Sequence, residues 1–503
     1  MRLPLLLFVL IIVSYSLQGQ VRDLNHIKMD KHSLLLNNAT ALLGDSIQEL
    51  FFFDLSSNYK RGELNHPKEP ETYNNHGLHT YGCKKLNGFI FTGELSYLKI
   101  KEIDRKYCSI YDYKSRFPYA PFDTIAGTWH KNDLSLKANM VKPLITDKLS
   151  IGLQMDYAFT TGAKQKDPRP LTRNNSISIS PSAVYQPAPH VQVGLDLKYQ
   201  KSRETVKQNF FKQHSSDVVF AFTGLGSLTH SGEKARYFYI QTIRPELYYL
   251  YKKRNQKLLI ALYFEHQNTE TEIMWRDRST ATTTINDYTT SKIGATFLRH
   301  KYSSKNTGHY LKFDGFYMVG NGRSISANGS SETSGILYEN TTLLPFHSDH
   351  EILTHVHHTF YKGNNDVVMH QLKTDFSLNH SDINYSGGAN NKLSNTSIYG
   401  LLCYEHTAFA NRSTVFSIFA EGGMYFPLSS ELIMNTTFTS SKYSQMEFDF
   451  LKEERLQYGL GVQVLNQIKE QNYKVRCSYK REFLKNNTSD KSDFIQLSFT
   501  TYL

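Results

Sequence analysis

The chain has 503 residues, of which 40% are hydrophobic and 13% aromatic, and its formal net charge is +11. Four cysteines are too few for a disulfide-stapled fold. Beyond the first twenty residues, no apolar run reaches the roughly 18 residues that indicate a membrane-spanning helix.

Residues 1–20 have the pattern of a cleavable secretory signal. Arg2 supplies a positive start, residues 3–13 are apolar, and residues 14–19 form a small-residue exit. The apolar stretch is too short to span a bilayer. We therefore predict export, with cleavage near Gly19 or Gln20.

Residues 21–45 precede the first predicted strand, which begins near Ser46. Within them, residues 33–43 are predicted to form a short helix that stops at Gly44. Such a segment could enter a barrel lumen as a small partial plug. It is much shorter than the folded plug domain of an energy-coupled receptor, so that class of receptor is disfavoured.

A two-residue period repeats through residues 46–503. In residues 149–160, apolar side chains alternate with small or polar ones, which gives a strand one face for lipid and one for water. The same alternation recurs in residues 191–200, 311–319, 456–464 and 473–483. An array of secreted β-sandwiches would share this period, but these runs are longer than the average globular strand of about 5–6 residues. We predict an all-β, antiparallel transmembrane β-barrel.

The links between the runs alternate in length, as expected for short periplasmic turns and long external loops. Short links are predicted at 142–148, 186–189, 251–256, 303–307, 362–365 and 466–471. Long links are predicted at 60–87, 114–131, 202–235, 268–290, 321–349 and 484–493. Pro143 and Pro427 are both interpreted as residues of turns at strand ends.

The segments delimited in this way come to an odd number, whereas a single-chain bacterial barrel should have an even one. Orientations counted from the two chain ends also conflict around residues 396–408. We predict about 18 strands, with 16 or 20 as alternatives. The last segment, 494–503, has the aromatic end that barrel-assembly machinery would recognise.

Three short motifs, Asn37–Leu42, Tyr81–Gly88, and Pro118-Tyr119 with Asp123–Gly127, resemble an uncharacterised outer-membrane β-barrel family of Bacteroides-type bacteria. The likeness extends loosely over the mature chain. This resemblance implies a fold and a location but no substrate, because the family is a domain of unknown function. The Asn-x-Ala-x-x-Leu element at 37–42 is also similar to FadL-type fatty-acid channels, in which an N-terminal hatch blocks the lumen.

Histidines cluster between residues 347 and 358. His355 and His357 would project from one face of a strand, close enough to share a metal ion. The alternative is a polar rim without any ligand, since no carboxylate or cysteine completes an obvious shell. No other cofactor is expected.

Six basic residues fall on strand faces assigned to the lumen. They are Lys198, Lys312, Lys373, Lys474, Arg476 and Lys480. A positive lumen would favour anions. Pairing with Asp196, Asp314, Asp375 and Glu482 to rigidify the lumen is the alternative.

The leading functional prediction is a passive channel or uptake barrel for a small or moderately hydrophobic solute, with a partly occluded lumen. The first alternative is a structural barrel whose loops bind lipopolysaccharide or a partner receptor. The second is a membrane-embedded hydrolase using His266 or Asp349, but no G-x-S-x-G or H-E-x-x-H motif supports an enzyme. Lipid and lipopolysaccharide are the expected partners of an exported barrel, and nucleic acid is not.

Overall fold

The computed structural model describes most of the chain from residue 50 onward. The described residues are 50–112, 118–145, 148–209, 219–224, 227–230, 233–275, 282–304, 307–325, 343–364, 367–386, 390–410, 414–434, 439–468, 471–486 and 490–502. The predicted signal peptide 1–20 and the predicted plug 21–45 lie outside this part of the chain, as does the FadL-like element at 37–42.

The described chain is almost entirely β-structure. The strands are β1 Leu50–Gly62, β2 Thr72–Leu86, β3 Phe89–Arg105, β4 Pro121–Asp123, β5 Gly127–Ile145, β6 Leu149–Lys164, β7 Arg169–Ala188, β8 Val191–Asn209, β9 Val219–Gly224, β10 Ser227–His230, β11 Glu233–Lys253, β12 Gln256–Trp275, β13 Thr282–Ser304, β14 Thr307–Ile325, β15 Leu343–Asn364, β16 Val367–Tyr385, β17 Asn391–Ala410, β18 Thr414–Ile433, β19 Arg455–Ile468, β20 Gln471–Leu484 and β21 Lys491–Tyr502. A helix, α1 Thr439–Lys452, lies between β18 and β19.

Eighteen of these strands form one closed antiparallel sheet, which confirms the predicted barrel and strand number. Each barrel strand pairs with its neighbours in chain order, and β8 pairs directly with β11. The first and last strands close the wall, in a register that pairs Phe52 with Tyr502 and Gly62 with Ser492. The three short strands β4, β9 and β10 form a separate small sheet.

The two faces of the wall differ in chemistry, as β8 illustrates. Its side chains Val193, Leu195 and Leu197 are 37%, 54% and 47% exposed on the outside, while Asp196 is buried on the inside. A continuous exposed apolar surface of this extent indicates contact with lipid. Closure of the sheet gives the backbone amides partners within the wall, which membrane insertion requires.

The two ends of the barrel differ in their connections. Links of two or three residues join β2 to β3, β5 to β6, β7 to β8, β11 to β12, β13 to β14, β15 to β16, β17 to β18 and β19 to β20. Longer segments join the strands at the opposite end, with the exception of the link 165–168. Short turns face the periplasm in outer-membrane barrels, so the longer segments, α1 and the small sheet lie on the external side.

The prediction of one long link over 60–87 is wrong, because β2 occupies residues 72–86 of it. The outward positions of β2 include Asn74, His76 and Thr80, so its lipid-side pattern is weak. Residues 396–408 do form a spanning strand, β17. This strand pairs with β16 and β18 along its length, so the conflict in orientation around it does not come from a non-spanning segment.

Pro427 does not lie in a turn, contrary to the prediction. It pairs with Ser397 inside β18, at a register shift between β17 and β18. The ladder between β18 and β19 ends at Tyr425. A residue without an N–H therefore removes no hydrogen bond on the β19 side, which explains why proline is tolerated there.

The barrel wall is uneven in height. The strands β11 to β18 have 19–23 residues, whereas β19, β20, β21 and β1 have 12–14. We call these two parts the high wall and the low wall. On β12 the outward residues change from Leu262 and Phe264 to His266 and Glu270 toward the external end. The upper part of the high wall therefore stands outside the hydrocarbon layer.

Among the described helices, none combines the length and apolar character needed to cross a membrane.

Candidate functional site

The described residues of the external segment between β3 and β5, 106–112 and 118–126, lie in the mouth of the barrel. Tyr119 is fully buried, and its carbonyl oxygen accepts a hydrogen bond from Arg236 of β11 at 2.5 Å. Its ring centroid lies 6.5 Å from that of His347 on β15. Since β15 is nine strands from β3 in a wall of eighteen, this segment reaches the opposite side of the lumen. We call it the crossing loop.

Buried ion pairs hold the crossing loop and the strand ends beside it. Glu102 accepts from Arg105 at 2.9 Å and from Lys131 at 2.7 Å, and Lys164 donates to Asp123 at 2.6 Å. The side chains in these pairs are at most 3% exposed. Removing one partner of such a pair typically costs about 3–5 kcal/mol, because the other charge stays buried.

Burial also changes the acid–base behaviour of the crossing loop. It raises the pKa of Asp123 above its ordinary value, although Lys164 acts in the opposite direction. It likewise raises the pKa of Tyr119. Both shifts are consistent with a loop that is packed away from water.

The helix α1 covers part of the mouth beside the crossing loop. His66, between β1 and β2, lies with Nε2 3.1 Å from Oε1 of Glu447 on α1. Tyr443 of α1 is buried, and its ring lies 5.4 Å from Tyr107 and 6.4 Å from Phe122 of the crossing loop. The two elements therefore form one external cap.

Glu447 is the main charged contact of α1. Burial by itself would raise the pKa of Glu447, but Lys68, His66 and Tyr443 together lower it to about 2. The carboxylate is therefore ionised over the whole physiological pH range. An ionised Glu447 keeps its electrostatic attraction to the segment between β1 and β2.

A cavity of about 1280 Å³ lies in the external half of the lumen, against the cap. We call it the vestibule. Its lining includes the inner faces of β1, β20 and β21 on the low wall, residues of α1, and the outer ends of β15 to β17. It combines carboxylates, cations, amides and aromatic rings, so it can accept solutes that are partly polar and partly apolar.

The structure places the six predicted basic residues on the inner face of the wall. Three have ion-pair partners close in the wall: Lys198 with Asp156 at 3.7 Å, Lys312 with Asp314 at 2.6 Å, and Lys373 with Glu405 at 3.8 Å. Lys474, Arg476 and Lys480 follow one another along β20, and Arg476 and Lys480 line the vestibule. The six residues are thus spread around the wall and do not form a single ring.

His355 and His357 both face the lumen and both contact Asp375 of β16. His355 Nε2 lies 3.3 Å and His357 Nδ1 2.6 Å from Oδ1 of that carboxylate. The other nitrogen of His357 lies 2.8 Å from Oγ1 of Thr359. Within the described residues, no group of three or more His, Cys, Asp or Glu side chains is placed to hold a metal ion. The metal site stays a prediction, and the contacts seen account for both rings without one.

The two hydrolase candidates are not brought together. His266 is on the outer face of β12, where its Nδ1 lies 3.1 Å from Ser291 Oγ. Asp349 is buried on the inner face of β15, where it accepts a hydrogen bond from Tyr288 at 2.9 Å. The wall of the barrel separates them.

A closed wall of eighteen antiparallel strands with an apolar outside, short turns at one end and a folded cap at the other defines a bacterial outer-membrane β-barrel. Within that class, the chain belongs to the family of unknown function DUF6850, whose model matches residues 39–503. This match confirms the predicted membership of a barrel family without an assigned function. None of the curated proteins matches the sequence.

Several solved outer-membrane proteins are similar in structure. The ferric preacinetobactin receptor BauA of Acinetobacter baumannii is 6% identical with a TM-score of 0.38, covering 90% of this chain and 80% of that one. The copper transporter OprC is 7% identical with a TM-score of 0.42, covering 91% and 82%. The monoaromatic hydrocarbon channel TodX is 11% identical with a TM-score of 0.34, covering 96% and 95%. Likenesses this distant carry no argument about function.

Proposed function

We propose that this barrel is a passive uptake channel for small or moderately hydrophobic solutes, which enter through the vestibule. The observation that supports this proposal is the cavity of about 1280 Å³ enclosed by the wall and bordered by the cap. The wall is held together by strand pairing and does not need an empty cavity such as the vestibule. A binding or transit site does need one.

Partial occlusion of the lumen is the second element of the proposal. The crossing loop spans the external half, fixed at Asp123 and Tyr119. Toward the periplasm, inner-face side chains of β7 and β11 to β14 form a buried apolar cluster that includes Tyr248, Leu259 and Leu298. A solute thus meets a mixed polar surface first and an apolar one later, which suits molecules with both characters.

Liposome swelling tests the proposal directly. Refolded full-length protein is inserted into liposomes, and swelling is followed in isosmotic anionic, neutral and fatty solutes. We expect solute-dependent swelling above that of protein-free liposomes. No swelling with any solute would overturn the channel.

A second proposed function is contact with lipopolysaccharide or a partner protein, for which the high wall is the relevant surface. Arg323 and Asp287, which form an ion pair, are among the outward residues of the high wall above the hydrocarbon layer. Co-purification of lipopolysaccharide or a specific protein with a barrel that is silent in the swelling assay would favour this function over the channel.

A further inference from the structure

Two cations on the low wall face the vestibule without an ion-pair partner among the described residues. Arg476 and Lys480 lie on the inner face of β20, four residues and about 13 Å apart along the strand. The Nε atom of Arg476 also lacks a hydrogen-bond partner within the described part of the chain. This contrasts with Lys198, Lys312 and Lys373, which have carboxylates within 4 Å.

Aromatic rings border both cations. The guanidinium carbon of Arg476 lies 4.1 Å from the ring centroid of Phe419. The ammonium of Lys480 lies 5.6 Å from the centroid of Phe494, and that of Lys60 lies 5.2 Å from the same centroid. These side chains all line the vestibule, but Phe419 is buried, so Phe494 is the ring of this pair that presents apolar surface beside the charges.

Most carboxylates of this side of the vestibule are already neutralised. Glu69 is paired with Lys60 at 2.8 Å, Glu482 lies 3.9 Å from Arg455, and Glu447 is held by the cap. Glu421 of β18, the high-wall strand next to β19, is the remaining carboxylate on this side among the described residues that line the cavity. Locally, two unpaired cations therefore face one carboxylate.

We propose that this side of the vestibule binds organic anions that carry a flat apolar or aromatic group. The carboxylate or phosphate group of the solute lies between Arg476 and Lys480, and its flat group packs against Phe494. Charge-assisted hydrogen bonds orient the anion, and this ring supplies apolar contact. The cavity is larger than a typical pocket of about 300–1,000 Å³, which fits a weak transit site. This inference rests on the proposed uptake function and names its solute class.

The test is calorimetric titration of benzoate, benzyl alcohol and acetate into the refolded full-length barrel in detergent. We expect benzoate to bind more tightly than either of the other two, because it alone offers both the charge and the ring. The variants Arg476→Gln and Lys480→Gln should each weaken benzoate binding about tenfold. Added salt should weaken it in the unaltered protein.

A matched control separates this site from general lumen charge. Lys292 is also an inner-face lysine over a ring, 3.9 Å from the centroid of Phe316, but it does not line the vestibule. The variant Lys292→Gln should bind benzoate like the unaltered protein, and Arg476→Lys should recover part of the lost affinity. Gel mobility before and after boiling verifies that each variant is folded.

Equal affinity for benzoate and benzyl alcohol, or an equal loss in Lys292→Gln and Lys480→Gln, would overturn the anion site. These outcomes are distinct from failure of the channel. Benzoate binding without liposome swelling would contradict the uptake function but not the anion site. Swelling without benzoate binding would contradict the anion site but not the channel.

Discussion

The ammonium of Lys164, at the external end of β6, lies 2.6 Å from Oδ1 of Asp123 in the crossing loop, and neither side chain is more than 2% exposed. The same ammonium donates to the carbonyl oxygen of Ile125 at 2.7 Å. One lysine therefore fixes the return of the loop from the lumen to the wall. We expect this attachment to keep the crossing loop in the mouth of the barrel.

Replacing Lys164 with Met should release the crossing loop. The buried Asp123 would lose its counter-ion, at a typical cost of about 3–5 kcal/mol, which the loop can avoid by leaving its site. We expect faster liposome swelling and new protease cleavage within residues 106–126. The double variant Lys164→Met/Asp123→Asn should be less affected, because no charge is left buried. Unchanged cleavage and swelling in Lys164→Met would show that the pair does not retain the loop.

Attachment of α1 should depend on pH through Glu447. Its pKa is lowered from 4.5 to about 2 by Lys68, His66 and Tyr443 acting against burial. A lowered carboxylate pKa means that the stabilising contribution is complete above about pH 4.5 and is lost as the pH falls toward 2. Pepsin cleavage of α1, followed between pH 4.5 and 2, should therefore rise steeply in the unaltered protein.

The variant Glu447→Gln provides the control for this pH dependence. It cannot ionise, so cleavage of α1 should be raised already at pH 4.5 and should change less on further acidification. A cleavage profile that matches the unaltered protein would exclude Glu447 as the titrating group.

A methyl group at Gly194 should destabilise the barrel. Gly194 of β8 lies opposite Tyr248 of β11, and a Cβ there would lie 2.2 Å from atoms of the tyrosine ring. Tyr248 is buried and cannot move aside freely. Gly194→Ala should lower the free energy of unfolding by about 1–3 kcal/mol, measured by urea denaturation in lipid vesicles. Gly400→Ala is the control, since a Cβ at Gly400 meets nothing within 4 Å in the structure, and an equal loss there would contradict the steric explanation.

Deletion of residues 21–45 should raise the rate of swelling if the predicted plug is present. The first described strand begins at Leu50 at the periplasmic end, the end at which the inner-face apolar cluster with Tyr248 and Leu259 lies on the opposite wall. Apolar side chains in a lumen are favoured where another apolar surface covers them. Heat-dependent gel mobility controls for folding of the truncated chain. An unchanged swelling rate would show that residues 21–45 do not obstruct the lumen.

The strands of the wall can be predicted from the sequence where their lipid-facing residues are consistently apolar. Leu195 and Leu197 alternate with Asp196 and Lys198, and the structure places these pairs on opposite faces of β8. The strand β2 escapes detection because its outward positions, such as Asn74 and His76, are polar. Periodicity therefore identifies strands only where the outer face is uniformly apolar.

The cap and the vestibule could not be predicted in this way. Tyr119 and His347 are far apart in sequence and meet because the crossing loop reaches the opposite wall. The distinction between paired Lys312 and unpaired Lys480 likewise depends on where carboxylates of neighbouring strands fall. The alternation of polar and apolar residues predicts which face of a strand a side chain lies on. Its neighbours on other strands can be known only from the fold.

Because the high wall and the low wall differ in height, the barrel presents different barriers to molecules that approach it from different sides in the plane of the membrane. The strands β11 to β18 exceed β19 to β21 and β1 by about seven residues, which at a tilt near 40° raises one side by roughly 18 Å. A solute that diffuses in the plane of the membrane among the lipopolysaccharide sugars would meet the high wall from most directions. In the described part of the barrel, only an approach from the side of the low wall leads past a shorter wall to the cavity. If solutes enter through the vestibule as proposed, the rotation of the barrel about its own axis affects their access, and neighbouring proteins against the low wall should slow entry more than equal numbers against the high wall.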